Sequence, residues 1–151
     1  GLGQMAGAYD EIVAARDFGF VPYYATLLAD AHLHVVDLDG ASRVIDEALA
    51  IAEAGQGFFV PEVHRLRGDL ALARGQRATA LADYRKARSM ASSQGARSLA
   101  LRAATSEARL LVESGEHHDA LRVLDSLLSD WNEGFQTRDV LTAETLRGRL
   151  R

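Results

Sequence analysis

The sequence predicts an all-α chain built as an α-α superhelix: three helical hairpins with a single helix at each end. Three observations carry that expectation. Small residues recur on three tracks, Ala29→Gly68→Ala108, Ala41→Ala80→Ala120 and Ala48→Ala87→Leu127, each stepping by 39 and then 40 residues, with the last slot of the third track grown to leucine. The loop triplet Phe20-Val21-Pro22 returns as Phe59-Val60-Pro61, again after 39 residues. A loop has no helix face to bury, so its recurrence supports the period independently of the core. Hydrophobic residues make up 48% of the chain and only two residues are proline, a composition of packed helices rather than disorder. At 151 residues the chain is expected to form one domain over 1–151, burying roughly 70% of its unfolded surface.

Residues 4–17 predict a first helix with Met5, Tyr9, Ile12 and Val13 on one face. Phe18-Gly19-Phe20 breaks it, and Pro22 suits the first turn of the next helix, where a missing N–H costs nothing. That helix ends near Asp37-Leu38-Asp39-Gly40, read as a turn whose side chains bond the backbone. The return helix, Ala41–Ala54, carries Val44, Ile45, Ala48, Leu49 and Ile51. A second hairpin, over residues 60–91, turns at Gly75-Gln76, and a third, over Ala96–Trp131, turns at Ser114-Gly115. Asn132–Thr137 reads as a loop, with Asp139 capping a last helix. The repeats are expected at about 20–56, 59–95 and 98–134, with the terminal helix at about 138–151. Gly148 lies 40 residues beyond Ala108, so that helix is a fourth first-helix without a return partner.

Small side chains belong where two helix axes must approach, because a larger one would push them beyond about 8–10 Å. Larger residues fill the space between crossings: Ile45, Tyr84 and Leu124, and likewise Leu33, Leu72 and Val112. One hairpin cannot hide its apolar faces alone, so successive hairpins stack.

Several function classes lack support. The net charge is −4, which gives no general affinity for nucleic acid. There is no cysteine, hence no disulfide or thiolate metal site. The longest charge-free run, Phe18–Ala29, is too short to span a bilayer, and no signal-peptide pattern opens the sequence, so a cytoplasmic location is expected. Gly1-Leu2-Gly3-Gln4-Met5-Ala6 matches a dinucleotide pattern, but no strand precedes it and no βαβ unit follows. No phosphate loop or G-x-S-x-G elbow is present. His32 and His34 point to different faces of one helix, and His117-His118 opens another, so neither pair makes a metal site. The chain is expected to have no enzymatic activity, cofactor or metal.

The small residues at relative positions 8, 20 and 27 of each repeat resemble the signature of tetratricopeptide repeats, with a period longer than the usual ~34. More specifically, VHRLRGDLALARG, ARSMASSQGARSLALRAATSEARLLVESG and DWNEGFQTRDV resemble one family. It is the tetratricopeptide-like C-terminal region of bacterial regulators that combine a cyclase-type or LuxR-type part with a signalling ATPase. The resemblance covers nearly the whole chain and is strongest from Val63 onward. It implies a scaffold or sensor module whose catalytic and DNA-binding parts lie elsewhere. It also implies an inner groove lined by the first helices. The lining would be Tyr23, Thr26, Asp30 and His34, then Glu62, Arg65, Asp69 and Ala73, then Arg102, Thr105, Arg109 and Glu113. The expected occupant is a protein or peptide, or another domain of a parent regulator, with self-association left open. The alternative is a small effector closing the groove. Against a binding role for the middle row stands the ordinary explanation that Glu62/Arg65 and Arg65/Asp69 are intrahelical pairs.

Charge is blocked along the chain. Residues 65–102 hold nine basic residues against two acids, while 37–62 and 113–133 each hold six acids and one arginine. Attraction between neighbouring repeats explains this most simply. The other explanation is an outward strip, Arg77, Arg85, Lys86 and Arg88, that meets an acidic partner or nucleic acid.

Overall fold

The structure, a computed structural model, describes residues 1–16, 19–52, 57–132 and 134–151. Among the described residues there are eight α-helices and no strand: α1 (Leu2–Ala14), α2 (Val21–His34), α3 (Leu38–Ala52), α4 (Val60–Ala73), α5 (Arg77–Ser93), α6 (Arg97–Glu113), α7 (His117–Leu128) and α8 (Arg138–Leu150). The expected features at Asp17, Phe18, Ala54 and Gln56, and Glu133 of the 132–137 loop, lie outside the described residues. No helix in the described part is long and apolar enough to cross a membrane.

α2 and α4 start alike. The repeated triplet is a helix start and not a loop: Phe20 and Phe59 stand at the N-caps, while Val21, Pro22, Val60 and Pro61 lie in the first turns and are buried, so its recurrence reflects the core and is not independent of it. The two starts also touch, with the Tyr23 and Phe59 rings 4.9 Å apart. α2, α4 and α6 end alike as well. One residue turns left-handed, Val36 (φ 60°), Gly75 (φ 75°) and Gly115 (φ 81°). Its N–H and the next one bond back into the last helical turn, as from Gly75 to Leu72 O (2.9 Å) and Gln76 to Ala71 O (2.8 Å).

Four local expectations need correction. α3 begins at Leu38, three residues before Ala41, because Asp37 caps it by accepting the Gly40 N–H at 3.0 Å. The last helix is capped by Thr137, whose hydroxyl accepts from the Val140 N–H, and not by Asp139. α7 stops at Leu128, short of Trp131. On α1, Met5 is exposed, while Leu2 and Ala6 join Tyr9 and Val13 against the neighbouring helices.

Every helix packs against the next in sequence. The even-numbered helices also pack on one another in succession, α2 on α4, α4 on α6 and α6 on α8, whereas no odd-numbered pair does so among the described residues. The period follows from this scheme. Ala29, Gly68 and Ala108, Ala41, Ala80 and Ala120, and Ala48 and Ala87 are all buried, while Leu127 is half-buried. Gly68 shows the constraint most sharply: a Cβ there would lie 2.5 Å from the Tyr84 ring and 3.2 Å from the Ala80 carbonyl oxygen. Gly148, the fourth member of that track, is exposed with nothing near it.

The core has two large apolar clusters, one joining α1–α4 around Leu28, Ile45 and Leu66, the other joining α6–α8 around Leu101, Leu111 and Leu124. Between them α5 is held by a smaller set around Ala80 and Tyr84.

Candidate functional site

One face of the even-numbered row is hollow. A cavity of about 1050 Å³ runs across α2, α4, α6 and the start of α8. From α2 it takes Tyr23, Thr26, Asp30 and His34, spaced three to four residues apart and so on one helix face. α4 adds Glu62 and Arg65, and α6 adds Arg102, Thr105 and Arg109. The structure thus brings together nine of the residues expected in a groove. Asp69, Ala73 and Glu113 are not among its lining. Asp69 is drawn toward α5, where it accepts the Tyr84 hydroxyl at 2.6 Å. Glu113, at the end of α6, pairs with Arg77 of α5 at 3.2 Å.

Much of the charge in this cavity is already committed. Arg65 donates to both Glu62 oxygens (3.0 and 3.1 Å) and to Asp69 (2.7 Å). Burial pulls the Arg65 pKa down, but the carboxylates of Glu62 and Asp69 outweigh it and raise it. The Tyr84 hydroxyl is likewise raised, first by burial and then by Asp69. Glu62, Arg65, Asp69 and Tyr84 therefore form a connected polar network, more than the two intrahelical pairs that spacing alone implies. Thr26 and Thr105 donate to their own helix, to Tyr23 O (2.6 Å) and Leu101 O (2.8 Å), which leaves their oxygens free to accept from an occupant. Arg102 reaches across to Asp139 at 2.8 Å and ties α6 to α8.

The share contributed by the last helix is what sequence reasoning missed. Thr137, Arg138, Asp139 and Thr142 close one side of the cavity. A second hollow of about 490 Å³ adjoins them, lined by Arg109, Arg138 and Arg149 with Thr142 and Thr145. The signal was present: stepping 40 residues from Arg102, Thr105 and Arg109 lands on Thr142, Thr145 and Arg149. Phe59 and Leu27 form an apolar end opposite, beside Tyr23.

The outward strip needs correction. Arg85 and Arg88 of α5 both donate to Glu107 of α6 (3.1 and 2.7 Å), whose side chain is 1% exposed. Arg77 serves Glu113 and Ser114. Only Lys86 of that strip is exposed without an ion pair among the described residues. The basic middle block is thus largely consumed in joining neighbouring helices, as further pairs, Arg67–Asp83 and Arg74–Asp39, also show.

His32 is buried and bonded to Asp37 (2.7 Å), while His34 is exposed, so the two do face different ways. Among the described residues no group of three or more His, Asp or Glu side chains is placed to hold a metal ion.

No protein-family model and no curated protein matches this chain. Among solved structures the chain is similar to BtubC (BKLC) from P. vanneervenii, at 18% identity with a TM-score of 0.70. The match covers 99% of this chain and 63% of BtubC, so the chain spans less than two thirds of that neighbour's length; the likeness is one of fold.

Proposed function

We propose that this chain is a non-catalytic module that binds a protein partner through an extended segment laid in the groove of a tetratricopeptide-like, right-handed superhelical stack. One observation carries the reading: a single cavity crosses four successive even-numbered helices, which together offer a long channel rather than a closed pocket. Repeat arrays bind along such surfaces because each repeat adds one more strip of side chains. The superhelical reading draws on the contact scheme, the buried small-residue tracks and the fold likeness to BtubC. The resemblance of the 63–75 and 87–115 segments to bacterial regulators supports a place in a cytoplasmic signalling or transcriptional regulator, with any chemistry in other domains.

A small effector fits less well, since effector pockets enclose most of an apolar ligand and this cavity is lined largely by Asp, Glu, Arg and Thr. The test is selection of a displayed random peptide library against the chain, repeated with Ser98→Trp. Ser98 lines the channel and is exposed, so the indole plugs the groove without entering the core. Enrichment that the plug abolishes is expected. Enrichment that survives the plug would place the binding surface elsewhere.

A further inference from the structure

Most arginines in this chain have partners, and the exceptions are not scattered. Sixteen of the seventeen basic residues are arginine. Among the described residues only Arg16, Arg43, Arg97, Arg109, Arg138 and Arg149 form no ion pair. Arg97 is occupied otherwise, stacked on Trp131 and donating to Asp130 O. Of the remaining five, Arg109, Arg138 and Arg149 line one hollow, and among the described residues no acidic one lines it with them. All three are exposed, on α6 and α8. Asp139, the groove carboxylate next in sequence to Arg138, is taken by Arg102.

Like charges repel, and neighbouring arginines elsewhere in this chain share a carboxylate, as Arg85 and Arg88 share Glu107. Guanidinium groups gathered with no counter-charge among the described lining residues form a site of positive potential, suited to the bidentate hydrogen bonds that carboxylates accept. Leu141 and Leu146 line the same hollow and Thr142 and Thr145 add hydroxyls, a setting for a side chain with an aliphatic stem and an anionic tip. At the other end of the connected channel Tyr23, Leu27 and Phe59 offer an apolar seat, with Tyr23 and Leu27 37% and 44% exposed.

We propose that the partner segment is an acidic peptide, its carboxylates held by Arg109, Arg138 and Arg149 and an apolar side chain of the same peptide seated against Tyr23, Leu27 and Phe59. This rests on the groove reading and adds the partner's chemistry to it. Three steps between adjacent helices at about 9 Å each make a span of about 27 Å, or about eight extended residues.

Peptides enriched in the library selection would be resynthesised and titrated against the intact chain by fluorescence anisotropy. The expected result is enrichment of Asp and Glu at one end and aromatic or aliphatic residues at the other. Arg138→Glu/Arg149→Glu should weaken these peptides at least tenfold, and selection on that variant should enrich lysine and arginine instead. Both positions are exposed and without ion pairs among the described residues, so circular dichroism should show an unchanged fold. Enrichment that Ser98→Trp abolishes but that shows no acidic preference, or no change on charge reversal, would overturn this inference and leave the groove reading standing. No enrichment at all would remove the groove reading and this inference with it. Equal competition by duplex DNA, lost on the same reversal, would show that the arginines serve a nucleic-acid backbone and would overturn the peptide assignment.

Discussion

At Gly68 the usual helix preference is reversed. In an open helix alanine in place of glycine gains about 0.5–1 kcal/mol. Here the added Cβ would meet Tyr84 ring carbons at 2.5 and 2.7 Å. The ring cannot swing away cheaply, because its hydroxyl is held by Asp69 at 2.6 Å. Gly68→Ala should therefore destabilise by about 1–3 kcal/mol, the usual cost of overpacking, read from the urea midpoint. Adding Tyr84→Leu should recover part of that loss, whereas independent effects of the two changes would mean that the ring is not the obstacle. His64 makes a second residue-scale case. It is 5% exposed, and its Nδ1 has no partner among the described residues, as is also true of Asp83 Oδ2. Burial, reinforced by Arg67 and Lys86, pushes its pKa down to about 4. The unfolded chain binds the proton near pH 6.5, so below that pH protons favour unfolding. His64 thus contributes stability that is full above about pH 6.5 and is lost as pH falls toward 4. The predicted loss is about 1–3 kcal/mol, seen as a difference between the parent and His64→Phe in melts at pH 7 and 5. Parallel pH curves for the two proteins would refute it.

At the scale of elements, three hairpins use one turn, but the first fills the left-handed position with Val36 where the others have glycine. A β-branched residue is strained at φ 60° by about 1–2 kcal/mol, and Val36 is 75% exposed, so nothing in the packing returns that cost. Val36→Gly should raise stability by about 1 kcal/mol, with Gly75→Val lowering it; an unchanged or lower melting temperature for Val36→Gly would contradict the strain. The joint between α5 and α6 adds to its apolar contact, Leu110 against Ala80 and Tyr84, an ion cluster in which Glu107 is buried beneath Arg85 and Arg88. Removing both arginines by alanine substitution strands a buried carboxylate and should cost about 3–5 kcal/mol, most of it from Arg88, the less exposed of the two. Which features were legible in the sequence follows from the same physics. The small-residue tracks were visible because a close helix crossing favours small side chains, and the second and third turns because a left-handed residue favours glycine; the first, with Val36 at that position, was placed too late, at 37–40, where α3 has already begun. The start of α3 was not legible, since Asp37 reads equally well as turn or cap until Gly40 is seen to donate to it. The turn of Asp69 away from the groove was not either, because its partner Tyr84 arrives from α5 at a distance that depends on the crossing itself.

On the scale of the whole molecule, adhesion is uneven along the stack. The outer portions hold large apolar clusters, α1–α4 around Leu28 and α6–α8 around Leu111. The middle relies more on charge: Arg67–Asp83 within the second hairpin, then Arg77–Glu113 and Arg88–Glu107 between α5 and α6. Apolar burial is insensitive to moderate salt, whereas partly exposed ion pairs are screened as the Debye length falls from about 10 Å at 0.1 M to about 3 Å at 1 M. The Arg77 and Glu113 side chains are 47% and 58% exposed, so that pair should be screened first. In a stack whose members touch mainly their neighbours, weakening one joint opens the array there rather than everywhere. Amide hydrogen exchange should accordingly find α5 opening at lower free energy than α2–α3 or α6–α7. Going from about 0.1 M to 1 M sodium chloride should speed exchange in α5 while leaving the centres of α3 and α7 nearly unchanged. Glu107→Gln should have the same local effect at low salt, because it removes the charge that Arg85 and Arg88 share without altering the shape. Exchange that rises uniformly over all helices in both experiments would mean that the molecule opens only as a whole, and that its charged middle is no weaker than its apolar ends.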